Sequence, residues 1–381
     1  MRIVIAPDSY KECASAVVVA QAIAEGWRRA APEAELKLIP MADGGEGTVE
    51  TLVAATSGNT VSVTVTGPLG SPVEAVYGVL GDGKTAIIEM ASASGLALVP
   101  PAKRDPCITT TFGTGELMRH ALTHGVQRII IGLGGSATND GGAGMAQALG
   151  YSLRDAAGVE LPWGGAALER LAAIDSGQAD PRLKACDVLI ACDVSNPLCG
   201  ESGASQIYGP QKGATPDSVE QLDSALRHFG NIVERELGAP ILTLAGGGAA
   251  GGLGAGLAAF AHGVLKPGVD IVADACGLDD AVRGAQLVIT GEGRLDHQSA
   301  HGKTPVGVAR IAKRYGIPVI AIAGSLGEGC AGLRDLGIDA AFSICPSPMT
   351  LTDAMARAPE LIADLAESIA RVWRASVEHP V

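Results

Sequence analysis

Short apolar runs rich in β-branched residues alternate with amphipathic segments along most of this 381-residue chain. A continuous apolar run bounded by turn residues is typical of a buried parallel strand, and apolar positions three or four apart are typical of a helix. Strands are predicted at residues 2–6, 36–40, 128–131, 188–192, 287–290 and 318–323. Helices are predicted at residues 16–31, 48–55, 305–315 and 361–377, with Ser15 and Thr304 as N-caps. This alternation predicts an α/β fold with parallel sheets.

Residues 61–90 depart from this alternation. Two β-rich runs are interrupted at glycine-containing turns, residues 67–70 and 81–83, which predicts an antiparallel meander. No internal repeat or long low-complexity linker separates the segments. We therefore expect one doubly wound domain built from both chain ends, with a second domain inserted between them. The predicted bounds are residues 1–60 with 280–381 for the first domain and 61–279 for the second.

Glycine content is the unusual feature of the composition. Glycine occupies 52 of the 381 positions, about twice the average usage of about 7%. No G-X-Y period runs through the chain, which excludes collagen. The excess must therefore be concentrated in particular loops.

Charge and cysteine content exclude several classes of function. With 28 basic and 41 acidic side chains the net charge is −13, so the chain lacks the basic surface of a nucleic-acid or anionic-membrane binder. The eight cysteines form no C-x-x-C pair, and we expect reduced thiols in a cytoplasmic protein. Residues 238–265 contain no Asp, Glu, Lys or Arg, but glycine fills seven of the eleven positions 246–256, which argues against a membrane span.

Acidic and glycine-rich loops follow the predicted strands. Open α/β sheets bind ligands at the carboxyl ends of their strands, so these loops form the candidate site. Glycine loops that lead into helix N-termini suit phosphate groups, and carboxylates at neighbouring strand ends suit Mg²⁺. Phosphoryl transfer requires both. The loops are residues 8–11, 43–48, 134–142, 193–197 and 291–296, the last followed by 302–305.

One glycine run favours a different chemistry. Residues 246–251 fit G-x-G-x-x-G, follow the strand-like run 241–245 and precede Asp270 by about 20 residues, as in the dinucleotide fingerprint. An NAD-dependent dehydrogenase is therefore the rival hypothesis. A Walker P-loop does not fit, because His297 stands where its first glycine belongs. From the residues alone, both the kinase and the dehydrogenase stay open.

Several of these motifs resemble those of the type I glycerate kinases. They are long and unusual, and they keep the family's order from residue 3 to beyond residue 325. One departure is Cys13, at a position where the family commonly has serine. The motifs are A-P-D-S-Y-K at 6–11, P-M-A-D-G-G-E-G-T at 40–48, the loop 134–142, A-C-D-V-S-N-P-L at 191–198, G-E-G-R-L-D-H-Q at 291–298 and G-K-T-P at 302–305.

The resemblance implies ATP-dependent phosphorylation of D-glycerate to 2-phosphoglycerate, with transfer to C3 as the alternative. It implies a flavodoxin-like domain from both chain ends, an inserted mixed α/β domain and an active-site cleft between them. It also makes the glycine run 246–256 part of the kinase rather than a dinucleotide site. We expect ATP and Mg²⁺ as cofactors, no nucleic-acid or membrane partner, and a monomer or small homo-oligomer.

Individual roles are expected as follows. Asp193 is the expected base or metal-positioning acid, because it is a lone carboxylate at a strand end beside Asn196, a predicted binding residue. Asp43 is the second candidate metal ligand. Lys303 and Arg294 are expected to act with Asp193 in catalysis. The other predicted binding residues are Asp8, Ser9, Lys11, Asp43, Gly44, Gly45, Gly134, Gly135, Ser136, Thr138, Asn139, Gly291, Glu292 and Asp296.

Overall fold

The computed structural model describes residues 1–297, 299 and 303–378. It has the α/β class that the alternation predicted. The strands are β1 (Arg2–Ile5), β2 (Glu35–Leu38), β3 (Asn59–Thr66), β4 (Pro72–Val79), β5 (Thr85–Glu89), β6 (Arg128–Gly132), β7 (Ser152–Asp155), β8 (Leu171–Asp175), β9 (Asp187–Ala191), β10 (Val264–Lys266), β11 (Leu287–Leu295), β12 (Val319–Leu326) and β13 (Ala340–Ser343). The helices are α1 (Ala16–Ala30), α2 (Thr48–Thr56), α3 (Ala91–Ser94), α4 (Phe112–Thr123), α5 (Ala143–Ala148), α6 (Ala204–Tyr208), α7 (Pro216–Leu237), α8 (Leu253–Phe260), α9 (Gly268–Ala275), α10 (Leu278–Val282), α11 (Thr304–Lys313), α12 (Leu351–Ala356) and α13 (Ala358–Glu378).

The chain divides into two compact units. The first, which we call the terminal unit, consists of Met1–Asp43, Glu50–Ser57 and Val269–Val381. The second, which we call the inserted unit, consists of Gly44–Val49 and Gly58–Gly268. The acidic glycine turn after β2 is thus divided, because Asp43 belongs to the terminal unit and Gly44 to the inserted unit.

A five-stranded parallel sheet in the order β2-β1-β11-β12-β13 forms the centre of the terminal unit. Strands from the two ends of the chain meet where β1 pairs with β11, in a register that places Ile3 opposite Leu287 and Ile5 opposite Ile289. These four side chains are inaccessible to solvent. A parallel strand buried on both faces needs a continuous apolar sequence, which explains why β1 and β11 begin with unbroken aliphatic runs.

Helices α1 and α13 pack together on this unit and contribute to its core. Helix α1 buries Val19, Ile23 and Trp27, which lie four residues apart and so share one face. Helix α13 adds Ile362 and Ile369 to the same core cluster. Both helices were predicted from their apolar spacing, although Ser15 makes no side-chain hydrogen bond as the N-cap of α1.

The inserted unit contains a six-stranded mixed sheet in the order β10-β9-β6-β5-β4-β3. Strands β3, β4 and β5 form the predicted antiparallel meander, whereas β5, β6, β9 and β10 are parallel. Alternate residues of β6 and β9, including Ile129, Ile131 and Ile190, enter the core. The parallel part places the carboxyl ends of β6 and β9 side by side, and the loops that follow them carry two of the predicted motifs.

The uncharged segment 238–265 does not contain the strand expected at residues 241–245. Those residues form turns, and a short 3-10 helix at Ala249–Gly252 leads into α8. Ala250 has a φ of 53° and Gly251 a φ of 68°, so this turn is left-handed at its centre. Among the described residues, no helix is long and apolar enough to cross a membrane.

Helix α7 is the main element that sequence analysis missed. Its N-terminus is a capping box in which the Thr215 hydroxyl accepts from the Ser218 N–H, followed by proline in the first turn. Its C-terminus is Gly238 in the left-handed conformation, with a φ of 67°. Both end signals, the capping box and the C-terminal glycine, stand in the sequence.

We expect Gly26→Ala to destabilise the protein by about 1–3 kcal/mol, because overpacking a tight helix contact costs about that much. A Cβ at Gly26 of α1 would lie 1.9 Å from the carbonyl oxygen of Ala363 in α13. The sign of the change in unfolding free energy is informative, because replacing glycine by alanine inside a helix normally stabilises the helix by about 0.5–1 kcal/mol. Urea unfolding provides the measurement. Gly332→Ala is the matched control, because a Cβ there meets nothing within 4 Å. Equal or greater stability of the Gly26 variant would contradict the close approach.

Candidate functional site

Three carboxylates lie near the carboxyl edge of the terminal unit's sheet. Asp8 follows β1, Asp43 follows β2, and Glu292 lies in the last half of β11. Because β1 pairs in parallel with both β2 and β11, these strands end on the same side of the sheet. The Asp8 N–H donates to the carbonyl oxygen of Gly291 at 2.8 Å, which continues the β1–β11 contact beyond the strand. The structure therefore brings these predicted residues to one edge.

Asp8 is held by two short hydrogen bonds. One carboxylate oxygen accepts from the Ser9 N–H and the other from the Thr304 hydroxyl, both at 2.6 Å. Burial, followed by the charge of Asp43, raises the pKa of Asp8 to about 7, although these hydrogen bonds oppose the rise. A carboxyl group with this pKa can gain or lose a proton near neutral pH.

Thr304 was predicted to be an N-cap, and that prediction is wrong by one residue. Helix α11 begins at Thr304, and Lys303 is its N-cap. The physical reason is that the Thr304 hydroxyl donates to Asp8 instead of accepting from the helix backbone. Sequence analysis therefore found the residue but missed its contact.

Glu292 and Lys303 form an ion pair beside Asp8. The Lys303 ammonium lies 3.5 Å from a carboxylate oxygen of Glu292, and the Ser299 hydroxyl donates to the other oxygen at 2.6 Å. Glu292 is buried, which raises its pKa, while Ser299 and Lys303 stabilise its charged form. Lys303 is therefore oriented by an acidic partner.

The remaining predicted residues of the terminal unit occupy more exposed positions. Arg294 is exposed, and its Nε lies 3.0 Å from a carboxylate oxygen of the buried Asp296. Lys11 is exposed, and Ser9 is partly buried. Gly291 is required by packing, since a Cβ there would lie 1.9 Å from the carbonyl oxygen of Ile322. Gln298 of the motif 291–298 and Gly302 of the motif 302–305 lie outside the described residues.

Cys13, the departure in the first motif, lies against the C-terminal segment. Its thiol contacts the carbonyl oxygen of Met355 at 3.3 Å, and burial raises its pKa. The thiol is therefore used in packing within the terminal unit.

In the inserted unit, the loop 134–142 has an exposed half and a buried half. Gly134 and Gly135 follow β6 and are exposed, whereas Ser136 is mostly covered. Thr138 and Asn139 are fully buried, and the Asn139 amide donates to the hydroxyl of Ser205 at 2.9 Å. The predicted binding residues of this loop thus divide into residues that reach solvent and residues that support them.

Asp193 and Asn196 follow β9 in the inserted unit. Asp193 is exposed, and one of its carboxylate oxygens accepts from the Gly268 N–H at 2.9 Å. The side chain of Asn196 donates to the Ser202 carbonyl oxygen at 2.8 Å and accepts from the Tyr208 hydroxyl at 2.7 Å. Asp193 therefore presents a carboxylate to solvent, while Asn196 holds its own loop in shape.

Gly44 and Gly45 lie in the short stretch that precedes α2. A Cβ at Gly44 would lie 2.5 Å from the Cβ of Ala191, the last residue of β9. A Cβ at Gly132, the last residue of β6, would lie 2.2 Å from the carbonyl oxygen of Gly44. The Gly45 carbonyl oxygen accepts from the Thr48 hydroxyl at 2.7 Å. These glycines let the turn lie directly on the carboxyl ends of β6 and β9.

The structure lacks the context that the dinucleotide fingerprint requires. Residues 238–252 are all described, and no strand lies directly before the run 246–251. Asp270 lies inside α9, where it pairs with Arg310. The glycine run packs against the loop 134–142, because the Gly141 N–H donates to the Gly251 carbonyl oxygen at 3.0 Å. The run therefore has a structural explanation that involves no dinucleotide.

Sequence analysis missed Lys212 and Asp140, two buried charged residues. Both are almost inaccessible to solvent, and the Lys212 ammonium donates to the carbonyl oxygen of Thr138 at 2.7 Å. Asp140 lies within the quoted 134–142 motif, but no role was predicted for it. Lys212 follows a Gly-Pro turn, where a lysine is normally solvated, so its burial had no sequence signal.

Comparison with known proteins gives consistent matches along the whole chain. The sequence matches the glycerate kinase family over residues 3–374. It is 54% identical over 376 residues to the glycerate kinase of Halalkalibacterium halodurans, covering 98% of this chain and 99% of that protein. It is 53% identical over 370 residues to the glycerate 2-kinase of Escherichia coli K12, covering 97% of each. A crystal structure assigned as glycerate kinase 2 from Salmonella typhimurium LT2 matches with a TM-score of 0.92 and 55% identity over the full length of both chains.

We expect Asp8 to make stability depend on pH in a defined window. Its pKa is raised from 3.8 to about 7, so the folded protein keeps a proton that the unfolded chain loses. The contribution of Asp8 to wild-type stability therefore falls as pH rises from about 4 to about 7 and levels off above that. Asp8→Asn lacks this dependence, so its free energy of unfolding relative to wild type should rise across the same window. Urea unfolding at several pH values measures the difference, with the exposed Asp335→Asn as control. A difference that stays constant with pH would exclude the raised pKa.

Proposed function

We propose that this chain, which belongs to the glycerate kinase family, transfers the γ-phosphoryl group of ATP to the C2 hydroxyl of D-glycerate. The observation that carries the proposal is the full-length family match described above, together with the similarity to a protein named glycerate 2-kinase. The products are then 2-phosphoglycerate and ADP. Cytoplasmic location and a monomeric or small homo-oligomeric state stay predictions from the sequence.

The loop 134–142 supports binding of an anionic ligand in the inserted unit. Gly134 and Gly135 are exposed directly after β6, and exposed backbone N–H groups in such a loop suit a phosphate or carboxylate. We assign the direct contacts in this loop to residues 134–136. Thr138 and Asn139, whose side chains are buried, then support the loop from behind.

The available carboxylates suit a magnesium ion that arrives with the nucleotide. Mg²⁺ is usually bound by one or two carboxylates together with substrate phosphates and water, rather than by a complete protein cage. Within the described part of the chain, no group of three or more His, Cys, Asp or Glu side chains could hold a metal ion. Asp43 in the terminal unit and Asp193 in the inserted unit are the two candidate ligands. The ion would neutralise charge on the phosphates.

Cationic side chains at the carboxyl edge of the terminal unit supply the other element of phosphoryl transfer. We propose that Lys303 and Arg294 stabilise charge on the transferred group, with Lys11 as a further phosphate or carboxylate contact. The ion pairs with Glu292 and Asp296 support this role because they hold each cation in place.

The strand order β2-β1-β11-β12-β13 of the terminal unit supports the flavodoxin-like description, since it corresponds to the order 2-1-3-4-5.

We expect the purified chain to release ADP from ATP only when both D-glycerate and Mg²⁺ are present. A coupled ADP assay measures turnover, and phosphorus NMR of the product should show 2-phosphoglycerate. L-Glycerate in place of D-glycerate is the control for substrate recognition.

Two outcomes would contradict this proposal at different levels. Accumulation of 3-phosphoglycerate as the first product would mean that the acceptor is the C3 hydroxyl. Formation of NADH from NAD and the hydroxy acid, without any ADP from ATP, would replace the kinase with a dehydrogenase.

We expect Asp193→Asn to lower kcat by about 10²–10⁴-fold, the usual contribution of a positioned base. The substitution keeps the shape of the side chain and removes its charge, so the unfolding midpoint should stay unchanged. If Asp193 instead contacts Mg²⁺, excess Mg²⁺ should restore part of the activity.

Asp187→Asn is the matched control for this variant. Asp187 lies at the opposite end of β9, is exposed and pairs with Arg128 on the surface, so its removal should leave kcat unchanged. A wild-type kcat in the Asp193 variant would refute both proposed roles.

A further inference from the structure

Lys212 is a lysine with almost no solvent exposure in the inserted unit. It ends a 3-10 turn at Pro210–Lys212, and its relative exposure is 1%. Lysine is rarely buried in this way unless its charge is paired or hydrogen bonded. The Lys212 ammonium donates to the Thr138 carbonyl oxygen at 2.7 Å, which is a short, charge-assisted hydrogen bond to the buried half of the loop 134–142.

Asp140 holds the same half of the loop by its carboxylate. One oxygen accepts from both the backbone N–H and the hydroxyl of Thr111, at 2.8 and 2.9 Å. The other oxygen accepts from the Gly142 N–H at 3.1 Å. Asp140 is fully buried. Burial lowers the pKa of Lys212 to about 7, and the negative charge of Asp140 partly opposes that fall. Two buried titratable side chains, Lys212 and Asp140, thus hold the same half of the loop through hydrogen bonds.

The glycine run 246–252 covers the same part of the loop. A Cβ at Gly251 would lie 1.9 Å from the Thr138 carbonyl oxygen, so the two backbones are in direct contact. The Gly251 carbonyl oxygen also accepts from the Gly141 N–H at 3.0 Å. Residues 138–141 are therefore held by a lysine, an aspartate and a second stretch of backbone, whereas Gly134 and Gly135 stay exposed.

We propose that Lys212 is a positioning residue for the exposed half of this loop. Its ammonium, balanced by Asp140, fixes residues 138–141 and so keeps the exposed N–H groups of residues 134–136 in the orientation that a phosphate or carboxylate requires. Preorganised donors of this kind bind anionic groups without paying to order the loop. The ligand part of this inference rests on the proposed function, but the fixing of the loop does not.

Hydrogen exchange of the loop amides in Lys212→Met tests the positioning directly. Methionine fills a similar volume and removes both the charge and the donor. We expect the Gly141, Gly142 and Gly144 amides to exchange about 10- to 100-fold faster than in wild type, which corresponds to a charged hydrogen bond of about 1.5–3 kcal/mol. Amides of β3 and β4 should be unaffected.

Steady-state kinetics provide the second readout. We expect kcat/KM of the Lys212 variant to fall at least 10-fold, with KM rising for one of the two substrates and not for the other. General destabilisation does not produce this split. Leu183→Ala, a core truncation elsewhere in the inserted unit, controls for lost stability, and the exposed Lys184→Met controls for lost charge.

Wild-type exchange of the loop amides in Lys212→Met would overturn the proposal and leave Lys212 as a core residue only. If Lys212→Met does not fold, the double variant Lys212→Met with Asp140→Asn removes both buried titratable groups. A double variant that folds and exchanges its loop amides fast would support the proposal. If the double variant also fails to fold although Asp140→Asn alone folds, Lys212 and Asp140 do not balance each other's charge, and that part of the proposal is wrong. Absence of kinase activity in wild type would refute the proposed function alone, since hydrogen exchange still tests the loop.

Discussion

Close contact between backbone segments is the constraint on which the candidate loops depend. The turn at Gly44 lies on the end of β9, and the Gly251 turn lies on the Thr138 carbonyl group, each at a distance that leaves no room for a Cβ. In a loop packed this way, the backbone N–H and carbonyl groups lie directly against the backbone of another segment, with no side chain between them. Such contacts restrict the conformations that the loop can adopt, even though glycine by itself is the most flexible residue. Part of the high glycine content reflects this packing.

The buried charges are stabilised in two different ways. In the terminal unit, Asp8 accepts hydrogen bonds from Ser9 and Thr304, while burial and then the neighbouring carboxylates Asp43 and Glu292 raise its pKa. An arrangement that places carboxylates close together in this way favours binding of a cation or a proton. In the inserted unit, Asp140 is satisfied by backbone and hydroxyl donors, and its charge favours the protonated form of the buried Lys212. That arrangement is complete in itself and suits a supporting role.

The sequence predicted those strands, helices and turns whose hydrophobic spacing or turn residues lie within the element itself. The apolar run of β1, the spacing of α1 and the turns of the β3–β5 meander were all predicted correctly. Loops at strand ends were found for the same reason, since a strand's end can be read from its own sequence. Lys212 and the Thr304 hydroxyl could not be interpreted, because each acts on a residue more than 70 positions away. Their roles depend on tertiary contacts that a single sequence does not encode locally.

The glycine run 246–251 shows why a motif needs its structural context. In a dinucleotide site, glycines after a strand let the backbone approach a pyrophosphate at a helix N-terminus. Here the described residues directly before the run form turns and no strand, and the group that approaches Gly251 is the Thr138 carbonyl of the same chain. The physical requirement, a backbone without a side chain, is identical in the two cases. The identity of the approaching group decides the function, and in this chain that group belongs to the loop that we propose binds the anionic ligand.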